Sequence, residues 1–136
     1  MLLSDAGKMA EADAIAIRDY GISSALLMRN AAGHLARAAL DVMGSNRNAV
    51  VFCGPGNNGG DGIAAAAILL RHRVQVRVWF VGDRERMKPD CREMERRLLR
   101  HCGELEDYDP GDPLLPEQLR QAGVIIDAIF GIGLRR

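Results

Sequence analysis

The sequence predicts an α/β domain on a parallel sheet, and three observations carry that reading. Continuous apolar, largely β-branched runs recur at 48–53, 74–81 and 124–130, as strands buried on both faces require. Segments of helical period lie between them. A glycine-dense stretch, "CGPGNNGGDG" at 53–62, stands at the first strand-to-helix junction. Strand–helix–strand–helix–strand order implies parallel strands joined by right-handed crossovers. Ligands in such sheets bind beyond the carboxyl ends of the strands, which here are 53–62, Gly82-Asp83, and Asp127 through Gly133.

Taken in order, residues 1–44 read as two helices. Met9, Asp13, Ile17 and Tyr20 share one face before Gly21 stops the first. Ser23 or Ser24 can cap the second, whose stripe is Leu27, Ala31, Leu35, Ala38 and Val42, with Gly44 at its end. "NAVVFC" (48–53) is the first strand, "GIAAAAILL" (62–70) a helix, and "VQVRVWFV" (74–81) the second strand. Met87, Cys91, Met94, Leu98 and Cys102 fall on one face of a charged helix with Pro89 in its first turn. Residues 103–116 read as an acidic, Pro-rich loop, "PEQLRQAG" as a short helix, and "VIIDAIF" (124–130) as the third strand. The βαβαβ unit thus runs over 48–136. A sheet of three strands is thin, so the domain is expected to be truncated after the third strand or completed by a partner.

Composition narrows the function. The 136 residues fit one domain, 48% hydrophobic and 26% charged, with 18 basic and 18 acidic side chains. That balance offers no basic surface for nucleic acid and no attraction to an anionic membrane. No apolar run reaches the ~20 residues of a membrane span, and the acidic start is unlike a signal peptide. Cys53, Cys91 and Cys102 lack C-x-x-C spacing, which suits reduced thiols in a cytoplasmic protein.

Gly54, Gly56 and Gly59 satisfy G-x-G-x-x-G between strand and helix, and Asp83 lies where a ribose-binding acid would. Asp61, however, stands at the start of the helix, where a carboxylate competes with pyrophosphate for the positive end of the dipole. A Walker loop is excluded, because "GGDG" replaces G-K-[ST] and the lysines are Lys8 and Lys88. Asn57 and Asn58 add amide oxygens, which together with carboxylates suit a hard cation. The alternative is that both asparagines occupy left-handed turn positions. His34 reads as a packed or boundary residue, His72 and His101 as exposed ones, and Cys53 as a small buried hydrophobe. Asn30 either orients the loop from behind or is a surface residue.

"GPGNNGGDG" (54–62), "LLMRNAAG" (26–33) and "DAIFGIGLRR" (127–136) resemble the YjeF N-terminal domain, the NAD(P)H-hydrate epimerase family. The resemblance runs along the whole chain and implies a single Rossmann-like, three-layer αβα domain over 1–136, often a homodimer and sometimes fused to a dehydratase. It implies interconversion of the R and S epimers of hydrated NADH and NADPH, with potassium as the cofactor. By matching position, Asn57, Asn58, Gly59, Gly60 and Asp61 would line the hydrated nucleotide. Gly131, Ile132, Gly133, Leu134, Arg135 and Arg136 would wrap its phosphates, and Asn58 and Asp127 would bind potassium. The family carries Glu where this chain has Arg29, and it continues into a D-[IV]-P-S-G segment that this chain lacks.

The chemistry fits these residues. The substrate carbon bears a hydroxyl and a ring nitrogen, so a carboxyl group that moves a proton would assist loss and re-addition of water. Asp127 is the expected catalytic acid–base; Asp61 is expected to organise the loop. Two other readings remain open at this point. One is a dinucleotide-binding fragment of an oxidoreductase, holding ribose hydroxyls on Asp83. The other is a non-catalytic scaffold, a use of the same fold in an mRNA-decapping enhancer and an apolipoprotein-binding protein.

Overall fold

The computed structural model describes Ile15 and residues 23–135. The expected first helix, with Met9, Asp13, Ile17, Tyr20 and Gly21, therefore lies outside the described residues apart from Ile15, which is helical, and so does Arg136.

Helix α1 spans Ser24–Met43, and Ser23 caps it by accepting the Leu26 amide at 3.1 Å. Its buried face is Met28, Ala32, Leu35, Ala36, Ala39 and Met43, one residue round from the expected stripe except at Leu35. In so alanine-rich a helix two adjacent stripes are almost equally apolar, and packing decides between them. The chosen stripe places the Met28 sulfur 2.4 Å from where a Cβ on Gly60 would lie. Arg29, Asn30 and His34 are consequently exposed, which removes the packed role expected for His34 and leaves Asn30 a surface residue.

Strand β1, Asn48–Cys53, leads through Gly54–Gly56 into helix α2, Asn57–Arg71. This helix is buried almost all round, from Gly59 through Ala67 and again at Leu69, as an alanine-rich helix without a polar face must be. It packs against β1, β2 and β4, with α1 and α3 on either side. Asn57 and Asn58 are its first two residues; neither has positive φ, so the left-handed reading fails. Strand β2, Gln75–Phe80, is followed by a 3₁₀ turn at Arg84–Arg86 and helix α3, Pro89–Arg100, with proline in its first turn. Cys91, Met94 and Leu98 form its buried face. Cys102 lies beyond its end with φ 64° and is exposed, contrary to the expected face. His72 is exposed and His101 half-buried.

The sheet has five strands in the order β3-β2-β1-β4-β5, all parallel except β5. The expected count of three strands is thereby corrected to five. Strand β3, Leu105–Asp107, lies inside the segment read as loop, and β5, Gly133–Arg135, pairs antiparallel with β4, Val124–Ala128. Each missed strand is three residues long with one buried position, too short to show alternation. Helix α4, Leu115–Gln121, covers the second face of the sheet through Val50, Trp79 and Leu115. Three layers result: α1–α3, the sheet, and α4.

Candidate functional site

The strand order marks a candidate ligand crevice. From β1 the chain steps outward through β2 to β3, then returns to β4 on the other side of β1. The direction reverses between β1 and β4, and crevices at such points are where open α/β sheets bind ligands. The glycine loop leaves one of these two strands, and Asp127 closes the other.

On the β1 side, Gly54 donates its amide to the Ala128 carbonyl at 3.1 Å, continuing the β1–β4 ladder into the loop. A Cβ on Gly59 would fall 1.7 Å from the Gly54 carbonyl oxygen, and one on Gly62 would fall 2.7 Å from the Ala128 methyl. These two glycines bring α2 onto the strand ends. Gly56 differs: nothing lies within 4 Å of a Cβ placed there, so this side of the loop is open. Gly56 is the N-cap of α2 and offers no side-chain cap. The first-turn amides of Asn57, Asn58 and Gly59 are thus at a helix terminus with its positive dipole end.

Asp61 sits one turn further along, buried and engaged by a partner of its own. It is the buried charged side chain among the described residues, and it does not stand at the helix terminus where an anion would be held. Asn57 is exposed and Asn58 half-buried.

On the β4 side, Asp127 is registered with Phe52 across β1 and with Gly133 across β5. Val124, Ile126 and Ala128 belong to the core under α2. Alternation along the strand therefore puts Asp127 on the other sheet face. Its Oδ1 accepts the Ile129 amide at 3.2 Å, which fixes the carboxylate at the turn into β5. The carboxylate lines a cleft of about 300 Å³ with Ile129, Phe130, Gly131, Ile132, Gly133 and Arg135. Asn57 and Asn58 do not line this cleft. Leu134 is in the core, so its side chain is not presented to a ligand. A second cleft of about 420 Å³ adjoins the first, lined by Pro55, Val81, Gly82, Asp83, Arg86, Ile129 and Phe130.

Phe130 divides the two clefts and is 91% exposed. Reading 124–130 as one buried strand hid it; β4 stops at Ala128. The signal available was the glycine that follows, since "FG" after an aspartate marks a turn more readily than a strand interior. Arg86, too, was absorbed into a charged segment and overlooked.

Two thiols lie behind the loop. Burial, and then the proximity of Cys91, raises the Cys53 thiol well above its ordinary range. Burial, and then Glu95, pushes Cys91 up to about 11. Cys91 Sγ approaches the Gly54 carbonyl at 3.8 Å. Both are packing groups held as neutral thiols, not nucleophiles. Among the described residues no three His, Cys, Asp or Glu side chains converge as a metal cluster. A cation here would rely on Asn58, Asp127 and main-chain carbonyls, an all-oxygen set that fits a hard ion and not a transition metal.

Comparison with known sequences settles the family. The model described as YjeF-related protein N-terminus matches residues 24–136. The chain belongs to this family. Among its relatives, an NAD(P)H-hydrate epimerase of Oenococcus oeni is 35% identical over 91% of the chain and 56% of its own length. One of Weissella koreensis is 33% identical over 96% of the chain and 56% of its length. A bifunctional NAD(P)H-hydrate repair enzyme Nnr of Thermofilum pendens is 36% identical over 91% of the chain and 24% of its length. The chain thus spans about half, or less, of the relatives it matches. The crystal structure of yeast ynu0 (YNL200c) superposes with a TM-score of 0.76 at 24% identity, covering 96% of this chain and 57% of that one, which establishes the shared fold. No helix among the described residues is long and apolar enough to cross a membrane.

Proposed function

We propose that this domain interconverts the R and S epimers of hydrated NADH and NADPH. The observation that carries the reading is the pairing of the glycine loop and Asp127 across the β1/β4 reversal point, in a chain similar along most of its length to proteins named epimerases. The pyrophosphate would rest on the open side of the loop, against the first-turn amides of α2 beside Gly56. Arg135 and the Gly131–Gly133 turn would close over it from the β5 side.

At the reacting carbon, a protonated Asp127 would give its proton to the hydroxyl. The C–O bond then breaks, water leaves, and the ring nitrogen's lone pair forms a planar iminium. Water adding to the other face returns a proton to the carboxylate, so the step balances without a redox partner. Ring opening to an aldehyde and reclosure would use the same proton transfers. Bound potassium would supply a fixed positive charge, with Asn58 and Asp127 as the side chains to hold it. One carboxylate cannot hold the ion and carry the proton at the same moment, so the two duties are separable by experiment.

Proton NMR of S-to-R conversion, with and without potassium, tests both. Asp127→Asn is expected to lower the rate by about 100-fold or more with the fold intact. Full activity without potassium dependence in that variant would remove the acid–base role. A homodimer, a fused or separate dehydratase that consumes one epimer, and a cytoplasmic setting complete the proposal.

A further inference from the structure

We propose that the cleft at the end of β2 seats the adenosine ribose, and that Asp83 makes it select an unphosphorylated 2′-hydroxyl. The consequence for substrate, hydrated NADH over hydrated NADPH, rests on the function proposed above.

The cleft is a built feature. Val81 donates its amide to the Cys53 carbonyl at 2.8 Å, and Lys88 donates its own to the Pro55 carbonyl at 3.0 Å. These bonds join the glycine loop and the β2–α3 turn into one wall. Gly82 has φ 129°, a conformation that side chains rarely adopt, and packs against the Pro55 ring. That bend delivers Asp83 to the cleft. Its Oδ1 accepts the Glu85 amide at 2.9 Å, so the carboxylate is held in place. Lining the same cleft, Phe130 gives an exposed aromatic surface for a base. At about 420 Å³ the cleft is within the usual range for small-ligand sites.

The charges decide the selectivity. An acid at the end of the second strand accepts a hydrogen bond from a ribose hydroxyl; the same carboxylate repels a 2′-phosphate. Arg86 also lines the cleft and forms no ion pair among the described residues. Arg84 is unavailable, being bound to Glu95 and Asp107 at 2.6 and 2.7 Å. With its charge removed from Asp83, the cleft would present Arg86 alone and would attract the phosphorylated ribose. Arg86 is thus silent in the native cleft and decisive in the variant.

Calorimetric titration of the full chain with 5′-AMP and with adenosine 2′,5′-bisphosphate tests this. The native protein is expected to bind 5′-AMP about tenfold more tightly. Asp83→Asn, whose amide oxygen can still cap the turn, should invert the order, and adding Arg86→Gln should erase the difference. Asp83→Ser, another capping residue, serves if the Asn variant melts early. Native binding without selectivity, a ratio unmoved by Asp83→Asn, or failure of both nucleotides to bind would overturn the proposal. The kcat/KM ratio for hydrated NADH over NADPH separates it from the function. Selective binding without turnover keeps the cleft and removes the activity; turnover of both substrates alike, unchanged in Asp83→Asn, does the reverse.

Discussion

The two strand ends that flank the crevice are built on opposite plans. After β1, the chain is packed to the limit: Gly59 touches the Gly54 carbonyl, Gly62 meets Ala128, and α2 is buried from Gly59 to Ala67. After β4, it is open: Phe130 is 91% exposed, Asp127 is half-buried, and a Cβ on Gly131 would meet nothing within 4 Å. One side is a fixed anchor and the other an accessible wall. A glycine-rich motif read from sequence alone gives every glycine the same meaning, closeness to a ligand. Here Gly59 and Gly62 are close to the protein itself, and Gly56 alone in the loop faces open space.

The sharpest way to break that contrast is Gly59→Ala. The added methyl would lie 1.7 Å from a main-chain oxygen, which cannot move without parting α2 from β1. A loss of about 3 kcal/mol, at the upper end for overpacking, is expected, and chemical denaturation measures it. A midpoint within error of the native protein would show that the anchor yields.

The thiols behind the anchor give a second, smaller effect. Burial, and then Glu95, pushes Cys91 up to about 11 in the folded chain against 9.0 as the ordinary value, and burial raises Cys53 as well. Above pH 9 the unfolded chain releases these protons while the folded chain keeps them, so ν_U falls below ν_N and stability declines with pH. The contribution is whole below pH 9 and is lost as pH rises towards 11. For Cys91 the slope is roughly 1 kcal/mol per pH unit. Denaturation midpoints at pH 7, 9 and 10 should fall less steeply in Cys91→Ala than in the native chain. Equal slopes would show that burial of Cys91 does not govern its proton.

The order of the long elements and the ends of the long strands were legible, because long apolar runs and the glycine loop are strong local signals. The boundaries within the site were not. Helix α2 begins at Asn57 instead of Gly62 because a glycine-rich start has weak helical propensity, and tertiary packing of Gly59, Gly60 and Gly62 overrides it. Strand β3 was invisible for a different reason. Three residues cannot declare a period, and the strand is held from outside: Arg84 reaches Asp107 and the Leu105 carbonyl while its guanidinium lies 5.1 Å over the Phe80 ring. Asp127 could be singled out by its strand end, but its sheet face depends on the register with Phe52. That register is a long-range fact. The consequence is that Asp127 and Asn58 approach the crevice from different sides of the sheet.

Gly131→Ala is the mildest change and the most informative about the open wall. The turn has room for the methyl, and Gly131 has no positive φ that only glycine could adopt. Stability should change by less than about 0.5 kcal/mol, as for a surface substitution that touches nothing. If the Asp127 cleft is where the nucleotide's phosphates close over the loop, the methyl enters that space, and KM for the hydrated nucleotide should rise severalfold with the melting temperature unchanged. A loss of stability without a change in KM would mean that the turn is part of the packed framework, and the contrast between the two strand ends would fail at its open side.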